Sequence, residues 1–192
     1  MKNLLFVNSC VNRETSRTYR IGKELISRLM AGDEYAVNEL VLEDCNIHAL
    51  NSKTLNERVK LLANADFTNE TFAYAHQFAT ADCIVIAAPY WDSGFPTMLK
   101  AYIEAISING IVYRYDEQGN SVGLCRADAL YYVTTRGGYV GDENDLGFAT
   151  IAQLAMFYGI ENAKCISAEG LDIVTNDAEK IVEQAIAGDL IP

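Results

Sequence analysis

The sequence predicts an α/β fold: a doubly wound sheet of five parallel strands with helices on both faces and a β-hairpin insert, in a single domain over residues 1–192. Three observations carry this expectation. Strand-like and helix-like stretches alternate along the chain, which implies a parallel sheet covered on both sides. Two of the strand-like stretches, "LLFV" at 4–7 and, after its leading Asp82, "DCIVIAAP" at 82–89, are continuous apolar runs, as strands buried on both faces are. Finally, 192 residues, half of them apolar, suit one well-filled core, and no repeat, low-complexity tract or linker marks a boundary.

The elements follow in order. Residues 3–8 form the first strand, and from about 16 to 30 Tyr19, Leu25, Ile26, Leu29 and Met30 recur at helical spacing until Gly32 offers a stop. "YAVNELVL" (35–42) alternates as a second strand; 43–66 is polar and irregular, with a short helix around 54–63. A helix over 67–80 leads into the strand at 82–89. After "YWDSG" (90–94) a helix opens at Phe95–Pro96, since proline suits a first helical turn where its missing N–H is no loss. Residues 111–125 read as a hairpin around "EQGN", and "ALYYVTT" (129–135) is the fourth core strand, ended by "RGG". A helix at 143–158, a strand at 163–168 and a helix at 176–187 complete the chain.

Right-handed crossovers make such a sheet doubly wound, and its ligands sit beyond the carboxyl ends of the strands where strand order reverses. Three loops meet that address: 9–18, 90–94 and 136–141. The first gathers Ser9, Arg13, Thr15, Ser16, Arg17 and Thr18 where a strand hands over to a helix. Unpaired N–H groups at a helix N-terminus favour an anion, and hydroxyls and arginines strengthen the site. Helix capping is the plain alternative, but it accounts for one hydroxyl and not for several beside arginines. Neither GxxxxGK[ST] nor GxGxxG is present, so a mononucleotide phosphate fits better than a triphosphate. In the second loop, Tyr90 and Trp91 (the only tryptophan) can wall a flat ring or simply pack on the hairpin. In the third, Gly137 and Gly138 can bring backbone N–H groups close to a ligand or form a plain turn.

The net charge of −11 argues against nucleic-acid binding, which needs a basic footprint. Residues 13–28 nevertheless carry a local net +3, which suggests one bound anion. No apolar run approaches the roughly 18–20 residues that span a bilayer, and the N-terminal apolar stretch is too short for a signal peptide, so the expected location is cytoplasmic. Five cysteines spaced 35–42 residues apart, no CxxC and only two histidines leave no metal site to expect; the thiols read as reduced and mostly buried.

The chain resembles the FMN-dependent NADH-azoreductases and NAD(P)H:quinone oxidoreductases of the flavodoxin-like fold. The likeness rests on the serine-rich first loop, "IAAPYWDSGFPTMLKAYIE", "GIVYRYDEQGNSVGL", "TTRGG", and "AEG" after the last strand. It implies that Ser9, Ser16, Arg17 and Thr18 hold the FMN phosphate. Pro89, Tyr90, Trp91, Asp92 and Ser93 would wrap the isoalloxazine edge, and Thr135, Arg136, Gly137 and Gly138 would meet its other side. NADH or NADPH would deliver hydride to flavin N5 and give way to a quinone or azo compound in a ping-pong cycle, at a site built on a homodimer interface. The flavin would carry the chemistry; no side chain must act as acid or base, though Tyr139 could donate a proton. Two departures stand out: the family often has Asn and an aromatic where Asp92 and Ser93 stand, and a histidine just after the glycine pair, where Tyr139 and Val140 stand. A flavodoxin-type electron carrier, which binds FMN without NAD(P)H turnover of its own, is the alternative. A response-regulator receiver is disfavoured, because strand one ends in "NSC" and strand three in "APY" without the acidic cluster that fold requires.

Overall fold

The computed structural model describes residues 1–188. Five strands, β1 (Lys2–Asn8), β2 (Tyr35–Val41), β3 (Cys83–Ala87), β6 (Ala129–Thr135) and β7 (Ala163–Ala168), form one parallel sheet in the order β2-β1-β3-β6-β7. β4 (Tyr113–Tyr115) and β5 (Ser121–Gly123) pair separately as the antiparallel hairpin. The continuous apolar runs now have a physical reason. Side chains alternate across a strand, and each face of this sheet meets its own helical layer. Leu4, Phe6, Cys83, Val85, Tyr131 and Val133 pack against α1 (Arg17–Gly32) and α6 (Ala178–Ala187). Their neighbours Leu5, Val7, Ile84, Ile86, Leu130 and Tyr132 pack against α3 (Ala73–Thr80), α4 (Thr97–Ile106) and α5 (Leu146–Phe157). A further helix, α2 (Ser52–Ala63), lies in the excursion after β2 and has no buried residue.

Five helix starts differ from expectation, four of them because a local side-chain cap wins. α2 begins at Ser52, two residues early, where Asn51 forms a capping box with Thr54. α3 begins at Ala73 and not at 67, because Asn69 caps a separate 3-10 turn over Glu70–Phe72. α5 begins at Leu146 and not at 143: Gly141, at φ 77°, turns the chain into a 3-10 turn over Asp142–Asn144, and Asp145 caps the helix. α6 begins at Ala178 because Asp177 accepts the Lys180 N–H at 3.1 Å. Pro96 is itself the cap of α4, so the helix proper starts at Thr97.

Candidate active-site cleft

Strand order reverses between β1 and β3, and beyond their carboxyl ends lies a cleft of about 450 Å³. Its walls come from the loops after β1, β3 and β6, as expected, and from a fourth segment after β7. Ser16, Arg17, Thr18, Pro89, Tyr90, Trp91, Thr135, Arg136 and Gly137 all line it. Ser9, Asp92, Ser93, Gly138 and Tyr139 belong to the same loops but do not line it.

One end of the cleft is built for an anion. Ser16 caps α1, its Oγ accepting the Tyr19 N–H at 3.1 Å, while the N–H groups of Arg17 and Thr18 donate to no described residue. The first turn of α1 carries no acidic side chain, so the dipole and the free N–H groups face the cleft without opposition from their own helix. The Thr18 and Thr135 hydroxyls meet at 2.6 Å, tying the start of α1 to the end of β6. Ser9, directly after β1, is fully buried, and its hydroxyl has no partner among the described residues. A buried unsatisfied hydroxyl costs about 1–3 kcal/mol, a cost an incoming acceptor relieves. The loop is held in shape from below: Asn8 Oδ1 accepts the Cys10 N–H at 3.0 Å, and Asn12 turns the chain at φ 55°. Burial pushes the Cys10 thiol up to about 11, although a hydrogen bond with Ser16 works the other way, so this cysteine packs and does not react.

The arginines that drew attention in the sequence are already engaged. Arg13 pairs with Asp44 (3.3 Å), Arg20 with Glu179 (2.7 Å), and Arg17 reaches Asp172 (3.9 Å) and Glu179 (3.7 Å). Lys23 and Arg28 pair with Glu39 and Glu24. The local net +3 of residues 13–28 is thus neutralised in space by acids from β2, the segment after it, and the β7–α6 region.

The other end of the cleft suits a flat ring with carbonyl edges. Tyr90 and Trp91 stand beside it, with Trp91 half exposed. In the loop after β6, the N–H groups of Gly137 and Gly138 donate to no described residue, while their carbonyls accept the Asp172 and Gly170 N–H groups at 3.0 and 3.1 Å. The aromatic loop is a two-residue turn: Trp91 and Gly94 exchange both backbone hydrogen bonds (3.1 and 2.8 Å), and Asp92 and Ser93 both take left-handed backbone, φ 50° and 64°. Asn-Gly is the sequence such a turn prefers, so Asp-Ser here is strained. The departure at 92–93 noted in the sequence is therefore a backbone matter as well as a chemical one.

Arg136 plays a part the sequence did not disclose. Its side chain is fully buried, and Nε and Nη2 both donate to Asp145 Oδ2 (3.1 and 2.7 Å). Nη1 pairs with Asp142 (2.8 Å) and Glu169. Burial works against its charge, yet the three carboxylates more than offset it and hold its pKa above the ordinary arginine value. Asp145 Oδ1 at the same time caps α5 through the Phe148 N–H (2.9 Å), and Glu169 accepts the Gly141 N–H (2.8 Å). One guanidinium thus ties together the end of β6, the start of α5 and the end of β7, lying 6.0 Å from the Tyr90 ring. Its donors are committed to protein carboxylates. Tyr139, 71 % exposed, accepts a hydrogen bond from Asn176 Nδ2 (2.8 Å) outside the cleft lining.

Sequence reasoning missed Val11, Asn12, Leu171, Asp172 and Glu179 as cleft residues. The one signal that could have found the last three is positional: they follow a fifth parallel strand, whose carboxyl end must open on the same edge of the sheet. Among the described residues no helix is long and apolar enough to cross a membrane, and no group of His, Cys, Asp and Glu is placed to hold a metal ion.

The profile of the flavodoxin-like fold family matches residues 2–188. An FMN-dependent NADH:quinone oxidoreductase of Clostridium beijerinckii is 35% identical over 191 residues, covering 97% of this chain and 95% of the relative. One of the same description from Coprothermobacter proteolyticus is 34% identical over 180 residues, covering 91% and 89%. Among solved structures, an azoreductase of Bacillus anthracis superposes with a TM-score of 0.85 at 22% identity, covering 99% of this chain and 97% of that one. An FMN-dependent NADH-azoreductase from the same species, in complex with FMN, gives 0.83 at 20% identity with 99% and 96% coverage. At those identities the structural likeness shows the fold.

Proposed function

The chain belongs to the flavodoxin-like fold family, and on that footing we propose that it is an FMN-dependent NADH:quinone oxidoreductase that also reduces azo compounds. The observation that carries the proposal is the cleft's unsatisfied donor set: free N–H groups on Arg17 and Thr18, a free N–H on Gly137 with that of Gly138 next to it in the loop, and an aromatic wall beside them. That set matches a phosphate and a heteroaromatic ring joined in one molecule. FMN, when bound, supplies the hydride chemistry.

The protein's residues bind, orient and shield. Ser16, Thr18 and the first-turn N–H groups of α1 would hold the phosphate, Arg17 would contribute charge against Asp172 and Glu179, and the unpartnered Ser9 hydroxyl would be a further donor. Tyr90 and Trp91, in the loop that runs from Pro89 through the strained Asp92–Ser93 turn, exclude water from one edge of the ring. Thr135, Gly137 and Gly138 would meet its other side, and the two glycine N–H groups would be the donors available for negative charge there. Arg136 acts at one remove, fixing the backbone that presents Gly137. No side chain is assigned an acid–base step; Tyr139 stands outside the cleft lining. NADH and then the acceptor use the same open face in turn, because the described residues hold no second nucleotide-binding motif.

We further infer a homodimer in the cytoplasm. A groove of about 870 Å³ runs between α2, α4 and α5, lined by Leu50, Ile103, Leu146 and Leu154, and Leu55, Val59, Leu146 and Met156 are exposed in those helices. Apolar surface of that kind supports an interface, and a second copy of the chain is the partner proposed for it; sedimentation at micromolar concentration should give twice the chain mass.

The test of the function is steady NADH oxidation by the purified protein with FMN and a soluble quinone, with no second protein present. Sustained turnover supports the reductase. FMN binding without turnover would point instead to an electron carrier that depends on a partner reductase.

A further inference from the structure

Asp172 stands where an anion-binding cleft has no obvious use for a carboxylate. It follows β7, lines the cleft with Glu179, and approaches Gly137 so closely that a Cβ on that glycine would collide with its Oδ2. Its backbone N–H is anchored to the Gly137 carbonyl at 3.0 Å, so the residue is fixed to the glycine loop while its side chain stays largely exposed. The other Asp172 oxygen faces Arg17 Nη1 at 3.9 Å, across the cleft at the start of α1. Arg17 also faces Glu179, and Glu179 holds Arg20 at 2.7 Å. Two arginines and two carboxylates therefore balance at the phosphate end, in a protein of net charge −11. With the two carboxylates set against the two arginines, a dianionic phosphate gains no surplus side-chain charge here; the helix N-terminus and hydroxyls supply its unopposed attraction.

Resting on the FMN assignment above, we propose that Asp172 is a specificity-determining residue for the cofactor: it competes with the phosphate for Arg17, which weakens FMN retention and narrows the discrimination between FMN and its phosphate-free form, riboflavin. The carboxylate repels a phosphate placed on the free N–H groups of Arg17 and Thr18, and it holds the guanidinium that would otherwise turn to that phosphate. Riboflavin carries no such charge, so Asp172 leaves its binding nearly untouched.

The experiment measures dissociation constants for FMN and riboflavin, by quenching of flavin fluorescence at fixed ionic strength, for the wild type, Asp172→Asn and Asp33→Asn. Asp33 pairs with Lys2 at the start of β1, at the opposite end of the sheet, and controls for the change in net charge. Asp172→Asn should tighten FMN roughly 3- to 10-fold, the size of one charge–dianion interaction through a largely aqueous path, while riboflavin and the Asp33→Asn variant change less than about 2-fold. An unchanged or weaker FMN constant in Asp172→Asn overturns the proposal. So does equal tightening of both flavins, which would mark a steric effect of the side chain. If the wild type binds neither flavin, the cofactor assignment itself falls.

Discussion

Replacing Arg136 by Met removes the one cation that three carboxylates share. Asp145 is fully buried, and its Oδ2 accepts both Nε and Nη2 of Arg136, while Oδ1 keeps only the Phe148 N–H. Met fills much of the volume of the arginine stem but leaves that carboxylate charged, buried and short of two donors. Removing one partner of a buried ion pair costs about 3–5 kcal/mol, a large share of the roughly 5–15 kcal/mol that holds a typical domain folded. At this chain length that is a fall in melting temperature of roughly 10–15 °C. Urea unfolding followed by far-ultraviolet circular dichroism gives the free energy. Arg136→Lys should lie between, since it keeps the charge and loses the planar fork that serves three acids. The double variant Arg136→Met/Asp145→Asn should recover part of the loss, because it withdraws the stranded charge while Asn can still cap α5. A single variant within about 1 kcal/mol of the wild type, or a double variant no more stable than the single, would refute the view that this ion cluster organises the site's loops.

Other outcomes follow from the same structure. Ser93→Gly should raise stability by about 1 kcal/mol in thermal melts, because glycine takes φ 64° without the Cβ penalty; a loss would mean the serine side chain holds the turn. Burial pushes the thiols of Cys10 and Cys83 up to about 11 and those of Cys125 and Cys165 up to about 12. At pH 8 these four should react with a thiol reagent on the order of 100-fold more slowly than in urea-unfolded protein. The sign with pH is fixed too: a raised folded-state pKa gives stability that is complete below the ordinary thiol value near 9 and lost as pH rises through about 11 to 12, so urea midpoints should fall over that window. Tyr102→Phe should be neutral or stabilising by up to about 1 kcal/mol, since the buried Tyr102 hydroxyl has no partner among the described residues; a loss above about 1 kcal/mol would reveal an acceptor bound there.

What the sequence disclosed and what it hid divide along a physical line. The strand read at 82–89, found as Cys83–Ala87, was legible because a strand packed on both faces is apolar at every position, and the order of strands and helices then fixed which loops share an edge. The serine and threonine cluster was legible because its purpose is local: one turn of backbone with unpaired N–H groups. Charge was not legible. The basic residues at 13–28 looked like a patch only because Asp44, Asp172 and Glu179, which meet them, lie far away in sequence. Arg136 looked like a ligand contact in "TTRGG", but its partners Asp142, Asp145 and Glu169 come together only once β6 and β7 are paired. Helical periodicity alone starts α3 and α5 too early, because Asn69 and Gly141 divert the backbone just before it takes over. The strain at Asp92 and Ser93 had no sequence signal, since neither residue is the glycine such a turn prefers.

The central claim is that the cleft beyond β1, β3 and β6 holds FMN and passes it electrons from NADH. The most direct measurement is the visible spectrum of the protein after incubation with FMN and removal of the excess, followed by NADH under nitrogen. One FMN retained per chain, with flavin bands that bleach on NADH, is the predicted result. Bands that persist under NADH would contradict the reductase, and a colourless protein would contradict the site itself.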